Sequence, residues 1–78
     1  TKDYVYQAHI SLSDLTKQVR VRVEMTDSDG TRVVHDEPHS PGDEFDLTET
    51  GKGKKATFKI YYDDKLVLEY TKNADEDA

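Results

Sequence analysis

Residues 19–25 read Val-Arg-Val-Arg-Val-Glu-Met, apolar and charged side chains in strict alternation. A period of two puts Val19, Val21, Val23 and Met25 on one face of a strand and Arg20, Arg22 and Glu24 on the other. An α-helix would scatter these residues around its circumference, so the stretch decides for β-structure. The same period extends outward on both sides. Tyr4, Tyr6, Ala8, Ile10 and Leu12 alternate with Val5, Gln7, His9 and Ser11. Ala56, Phe58, Ile60 and Tyr62 alternate with Lys55, Thr57, Lys59 and Tyr61, and Leu66, Leu68 and Tyr70 supply the inward set of a last strand.

Turn-forming residues separate these runs. Asp27-Ser28-Asp29-Gly30 reads as a hairpin turn, because Asp and Gly tolerate the positive φ that tight hairpins need. A third strand runs through Arg32, Val33, Val34 and His35 and is expected to break at Pro38-His39-Ser40-Pro41-Gly42-Asp43, where Pro41-Gly42 suits the centre of a type II turn. Phe45 and Leu47 mark a short fourth strand, and Gly51-Lys52-Gly53 a flexible connector. Asp63-Asp64-Lys65 turns the chain once more. Residues 13–17 form a polar link with room for one helical turn. Val5, Val34 and Val67 are the outward apolar candidates. From Lys72 the pattern stops, and residues 72–78 read as an acidic disordered tail. Six short strands with no helix of useful length predict an all-β fold, a small antiparallel β-sandwich over residues 1–71.

With 78 residues, 33% of them hydrophobic and only 7 aromatic (5 Tyr, 2 Phe), the chain can build one thin core. That excludes a large enzyme with a deep, walled active site. No apolar run approaches the ~20 residues of a transmembrane helix. The formal charge of −6 argues against a nucleic-acid partner, which requires a basic face. The charge is unevenly placed: eight acidic residues against Arg32 in residues 27–49, and four lysines with no acid in residues 52–59. There is no cysteine, hence no disulfide framework and no thiolate metal site. The chain opens on Thr1 rather than Met, and its first residues do not read as a signal peptide. We expect it to be a piece of a longer protein whose targeting or membrane segment lies upstream.

Candidate chemistry is sparse. No serine stands in a Gly-x-Ser-x-Gly elbow. Asp27-x-Asp29-Gly30 resembles half of a calcium loop, but a third alternating ligand would have to be Met25, so a plain hairpin turn is expected. His35 and His39, four apart beside Asp36, Glu37 and Asp43, would share a helix face and suit zinc. With Pro38 between them and a strand end expected there, they read as structural or solvated histidines, and no metal or cofactor is predicted. His9 stands alone on an outer face. The carboxylates of residues 36–49 read as solvated loops, since an acid/base pair needs a cleft. Tyr61 is the one outward aromatic, sharing its face with Lys55, Thr57 and Lys59, and such a face can hold a sugar, a peptide or an anionic polymer.

The succession over residues 17–70 resembles a known small module. The marks are Val19-Arg20-Val21-Arg22-Val23, then Asp27-Ser28-Asp29-Gly30, Arg32-Val33-Val34-His35 and His39-Ser40-Pro41-Gly42-Asp43. After a Gly-containing link comes Phe58-Lys59-Ile60-Tyr61-Tyr62-Asp63-Asp64-Lys65-Leu66-Val67-Leu68-Glu69. This resembles the C-terminal extracellular immunoglobulin-like domain of bacterial PASTA-containing serine/threonine protein kinases, over about two-thirds of the chain. The family often has Asp-Gly where this chain has Asp63-Asp64. The PASTA signature and all kinase motifs are missing from these residues, and the family's terminal domain has no catalytic residues to carry over. The resemblance implies a non-catalytic domain on the extracellular side of the bacterial membrane, in a single-pass receptor that senses peptidoglycan or cell-wall fragments. Its expected partners are such fragments or another receptor copy. The ligand-contacting residues would be Tyr61, Lys55 and Lys59, with Arg20 and Arg22, whose guanidinium groups pair bidentately with stem-peptide carboxylates. Two other readings stand beside it: a carbohydrate-binding or adhesion β-sandwich of an unrelated secreted protein, which needs a planar row of aromatics, and a structural module that works in assembly, which needs an exposed apolar edge.

Overall fold

A computed structural model of the chain describes residues 2–77; Thr1 and Ala78 lie outside the described residues. Seven strands follow one another: β1 (Asp3–Ser11), β2 (Val19–Asp27), β3 (Gly30–His39), β4 (Glu44–Lys52), β5 (Lys55–Tyr62), β6 (Lys65–Asn73) and the two-residue β7 (Glu76–Asp77). They form two antiparallel sheets, β4-β1-β7 and β3-β2-β5-β6. In an immunoglobulin-type sandwich the four-stranded order is that of strands C′, C, F and G, and the other sheet sets E beside B. Here β1 takes the place of B, and β7, the last strand, lies on the edge of β1 where that fold places its first strand.

In β1, β2 and β5 the core is what the alternation predicts. Tyr6, Ile10 and Leu12 from the first run, Val19, Val21, Val23 and Met25 from β2, Leu47 from β4, and Ala56, Phe58 and Ile60 from β5 are buried together. Tyr6 meets Phe58 edge-on at 6.3 Å and donates its hydroxyl hydrogen bond to the Gly53 carbonyl at 2.5 Å, so its polar end is satisfied inside the sandwich. Phe58 also stacks on Tyr70 at 5.6 Å. The turns carry the expected chemistry. Asp63 and Asp64 both adopt positive φ (49° and 69°) between Tyr62 and Lys65, the backbone of a tight hairpin. Gly42 has φ 87°, and Asp43 N–H donates to the Ser40 carbonyl at 3.1 Å, closing the turn around Pro41-Gly42.

The expected strand limits need correction at three places, the ends of β3 and β4 and the residues from Lys72 onward. β3 does not stop at His35 but runs through Pro38 to His39, and this is allowed because β3 is an edge strand, where an amide hydrogen can be missing without breaking a ladder. β4 is nine residues long and absorbs Gly51 and Lys52, expected as connector. A side chain is crowded at Gly51: a Cβ would come within 2.7 Å of Met25 Cε, 2.9 Å of Asp27 Oδ2 and 3.2 Å of a Tyr6 ring carbon. Instead of a disordered acidic tail from Lys72, β6 continues to Asn73, Ala74 packs against the core, and β7 pairs with Tyr4 and Val5. The Lys72 ammonium links the Asp75 carboxylate (2.7 Å) to the Gln7 carbonyl, and Asp75 accepts the Gln7 N–H at 2.7 Å. Composition could not show this, because the ordering comes from the unpaired edge of β1.

Apolar assignments in two strands, β3 and β6, also move. The β2–β3 ladder slips between Val23 and Glu24, so Val34 becomes the extra residue of a bulge and packs against the core, while Val33 turns to solvent. Leu66 and Leu68, expected inward, are 45% and 49% exposed. β6 is the last strand of its sheet, and an open groove lined by His9, Ile10, Tyr62 and Leu68 separates it from β1.

Candidate functional site

The outer face of β3-β2-β5-β6 carries the residues singled out for binding. The register sets Asp36, Arg22 and Tyr61 side by side on β3, β2 and β5, and Glu24, Lys59 and Glu69 in the neighbouring row. The Arg22 guanidinium lies over the Tyr61 ring, 4.2 Å from its centroid, and pairs with Glu24 at 3.2 Å and with the carboxylate of Asp64. Arg20 Nε donates to Asp36 Oδ1 at 2.7 Å. Its backbone is clasped to the β5–β6 turn in both directions: Arg20 N–H donates to Asp63 Oδ1 and Asp63 N–H to the Arg20 carbonyl, each at 2.9 Å. Arg20, Arg22, Asp36, Asp63 and Asp64 thus line one shallow hollow at the end of the sheet.

Of the five residues proposed from sequence, the structure brings together Arg20, Arg22 and Tyr61. Lys59 is one row away, between two glutamates. Lys55 pairs with Asn73 at the far end of β5, six residues or ~20 Å along the strand from Tyr61. Sequence reading missed the acids that complete the hollow. The Asp63-Asp64 pair was visible as a turn, but only the β2–β5 register shows that this turn reaches the arginines. Tyr61, covered by Arg22, does not offer the open planar row of aromatics that a carbohydrate-binding face requires.

A second cluster lies on the other face of β3, turned toward β4 rather than toward the hollow. His35, Glu37 and His39 alternate along β3, so they share one side of the strand. Both imidazoles lie against Phe45 of β4, His35 at 4.0 Å and His39 at 4.8 Å between ring centroids. Their Nε2 atoms are 2.8 Å apart, and His39 Nδ1 is 3.1 Å from Asp43 Oδ2. Burial pushes His35 below the usual imidazole range, and neighbouring His39 adds to the effect against opposing pulls from Glu37 and Asp36. The Ser40 N–H and then His39 hold the Asp43 carboxyl below its usual range. Among the described residues, His35, Glu37 and His39 are the group whose donor atoms lie close enough, within 4.8 Å of one another, to hold a metal ion.

Two further polar clusters are structural. Asp27, its side chain only 1% exposed, accepts from Arg32 Nη1 at 3.0 Å, from the Lys52 N–H at 3.0 Å and from the Asp29 N–H at 2.8 Å. Burial raises its pKa, but these donors outweigh it and hold the carboxyl below the usual range. Arg32 in turn donates to the Thr50 carbonyl at 2.6 Å, so the β2–β3 turn is tied to β4. The expectation of a plain hairpin turn here agrees with this arrangement. His9 is not alone: Asp46 sits 2.7 Å from its Nδ1 and Glu44 2.8 Å from its Nε2, and these two hydrogen bonds raise its pKa.

No helix among the described residues is long and apolar enough to cross a membrane. The chain matches no family model, no curated protein and no solved structure.

Proposed function

We propose that the chain is a non-catalytic interaction domain, the C-terminal extracellular module of a membrane serine/threonine protein kinase that senses peptidoglycan fragments. The resemblance over residues 17–70 supplies the parent and its location. The observation that carries the binding site is the pairing of Arg22 with Asp64, whose side chain is 86% exposed on a two-residue turn. Such an ion pair is weakly held, so an incoming carboxylate can take the place of Asp64 on the guanidinium. Tyr61 beneath Arg22 fixes the plane of that guanidinium, and Arg20 next to it offers a second cation. The test is calorimetric titration of soluble muropeptides into the wild-type domain and into Arg22→Gln. Saturable binding that weakens at least tenfold in the variant supports the reading, and equal affinity for both proteins refutes it.

The assembly reading has its own support. Leu66, Val67 and Leu68 are consecutive, all substantially exposed, and lie on an edge strand with unpaired backbone groups. Pairing of two copies along β6 would cover them. Sedimentation distinguishes this reading: a concentration-dependent dimer abolished by Val67→Lys supports it, and a monomer up to millimolar concentration eliminates it.

A further inference from the structure

The His35–Glu37–His39 cluster is arranged as a ligand set. In a straight strand, side chains four residues apart start from Cα atoms ~13 Å apart and stand parallel, so they do not meet. Here the two imidazoles lean toward each other over Phe45 until their Nε2 atoms are 2.8 Å apart, and the Glu37 carboxylate stands 3.8 Å from the same His35 nitrogen. Both histidine side chains are largely buried, 13% and 12% exposed, whereas the Glu37 side chain is in solvent and free to turn inward.

The protonation pattern agrees with coordination. The Asp43 carboxylate at 3.1 Å assigns the ring hydrogen of neutral His39 to Nδ1 and leaves the Nε2 lone pair bare. The contact between the two Nε2 atoms then requires the hydrogen of His35 on its own Nε2. Moving that hydrogen to His35 Nδ1 bares both nitrogens at once, with no change in net charge. A carboxylate that holds the far nitrogen of a ligating histidine is the usual outer support of a metal-bound imidazole. Bond lengths of ~2.0–2.2 Å at tetrahedral angles set ligand atoms ~3.3 Å apart. The nitrogens need to open by ~0.5 Å, and the carboxylate to close by ~0.5 Å on His35 and by up to ~1.5 Å on His39, which rotation of the exposed Glu37 side chain supplies.

We propose that His35, Glu37 and His39 bind a zinc-class divalent transition ion, with Asp43 positioning His39 and a fourth position open to solvent. Two imidazoles and one carboxylate suit zinc, cobalt(II) or nickel(II) better than calcium or magnesium, which prefer all-oxygen sites. All three ligands come from β3, so the bound ion would brace the end of that strand, with Asp43 as its outer contact to the following turn. This proposal does not depend on the arginine–tyrosine hollow or on the kinase parentage.

Because both imidazole rings pack on Phe45, the ligand set is probed at exposed Glu37. The tag-free, chelator-washed domain is titrated with cobalt(II), read by its visible absorption, and then with competing zinc(II). Imidazole 15N shifts are followed in parallel. The expected result is one ion per chain, a four- or five-coordinate cobalt spectrum, shifts at the Nε2 of His35 and His39, and at least tenfold weaker binding in Glu37→Gln. Asp43→Asn should also weaken binding, by tenfold or more. The proposal is overturned if millimolar cobalt gives no such spectrum, if only His9 shifts, or if Glu37→Gln binds as tightly as the wild type.

Discussion

Replacing Asp27 with alanine removes the acceptor that holds three donors at once: Arg32 Nη1, the Lys52 N–H and the Asp29 N–H. Hydrogen bonds to a charged group contribute ~1.5–3 kcal/mol each, and donors stranded in a buried place add the loss of their own solvation. The three are not additive, because they share one carboxylate, and Arg32 is 40% exposed and recovers water. We therefore expect Asp27→Ala to cost about 3 kcal/mol. A domain of this size holds roughly 4–12 kcal/mol in total, at ~0.05–0.15 kcal/mol per residue. For small domains 1 kcal/mol moves Tm by ~4–8 °C, so the variant should melt about 12–24 °C lower. Asp27→Asn keeps the shape and one acceptor oxygen and should lose about half as much. The pH dependence has a definite sign. A carboxyl whose folded pKa is depressed contributes stability that is full above its unfolded value, near pH 4, and is lost as pH falls through the folded value. Wild-type stability should therefore fall more steeply below about pH 4 than that of Asp27→Asn. Thermal melts by circular dichroism from pH 2 to 7 measure both effects. A drop in Tm below about 4 °C for Asp27→Ala at neutral pH would refute the reasoning.

The other expectations concern packing, charge and the open edge. Gly51→Ala drives a methyl into Met25 and Tyr6 and should cost about 1–3 kcal/mol in urea unfolding; an unchanged midpoint contradicts the close approach. Leu47→Ala, in the core, should cost about 2–4 kcal/mol, whereas Leu66→Thr on the exposed edge should stay within about 1 kcal/mol. His9 should titrate above the ordinary imidazole range by NMR, and Glu44→Gln with Asp46→Asn should bring it back down. Its raised pKa adds stability that is full below the unfolded value and is lost as pH rises through the folded one, so the double variant should flatten that part of the pH profile.

How much of this was legible varied with the kind of information each feature needs. Alternation in residues 19–25, 4–12 and 56–62 reported the buried face of β1, β2 and β5 directly, because a half-buried strand repeats every two residues. The turns at residues 27–30, 40–43 and 63–64 were legible through residues that accept unusual φ. What escaped depended on pairing. Pro38 looked like a strand end because its edge position could not be known. The bulge opposite Val23 exchanged the roles of Val33 and Val34. β7 exists only as a partner of β1. The candidate sites follow the same division: the alternation puts Arg20, Arg22 and Tyr61 on one outer face, but only the pairing of strands brings Asp36 and the Asp63-Asp64 turn to the arginines. His35 and His39 were noticed at a helical spacing and discounted for lack of a helix. It is the strand spacing, with Glu37 halfway between, that brings their side chains to one side.

The central claim is that the hollow at Arg20 and Arg22, with Tyr61 beneath the Arg22 guanidinium, is where this domain meets its ligand. Its most direct test is a 1H–15N correlation spectrum of the wild-type domain, titrated with a soluble muropeptide bearing free stem carboxylates. The account predicts saturable shifts confined to Arg20, Arg22, Tyr61 and the Asp63-Asp64 turn, including the guanidinium Nε–H of Arg22. An unchanged spectrum at millimolar ligand, or shifts gathered on the β4-β1-β7 sheet instead, would contradict it.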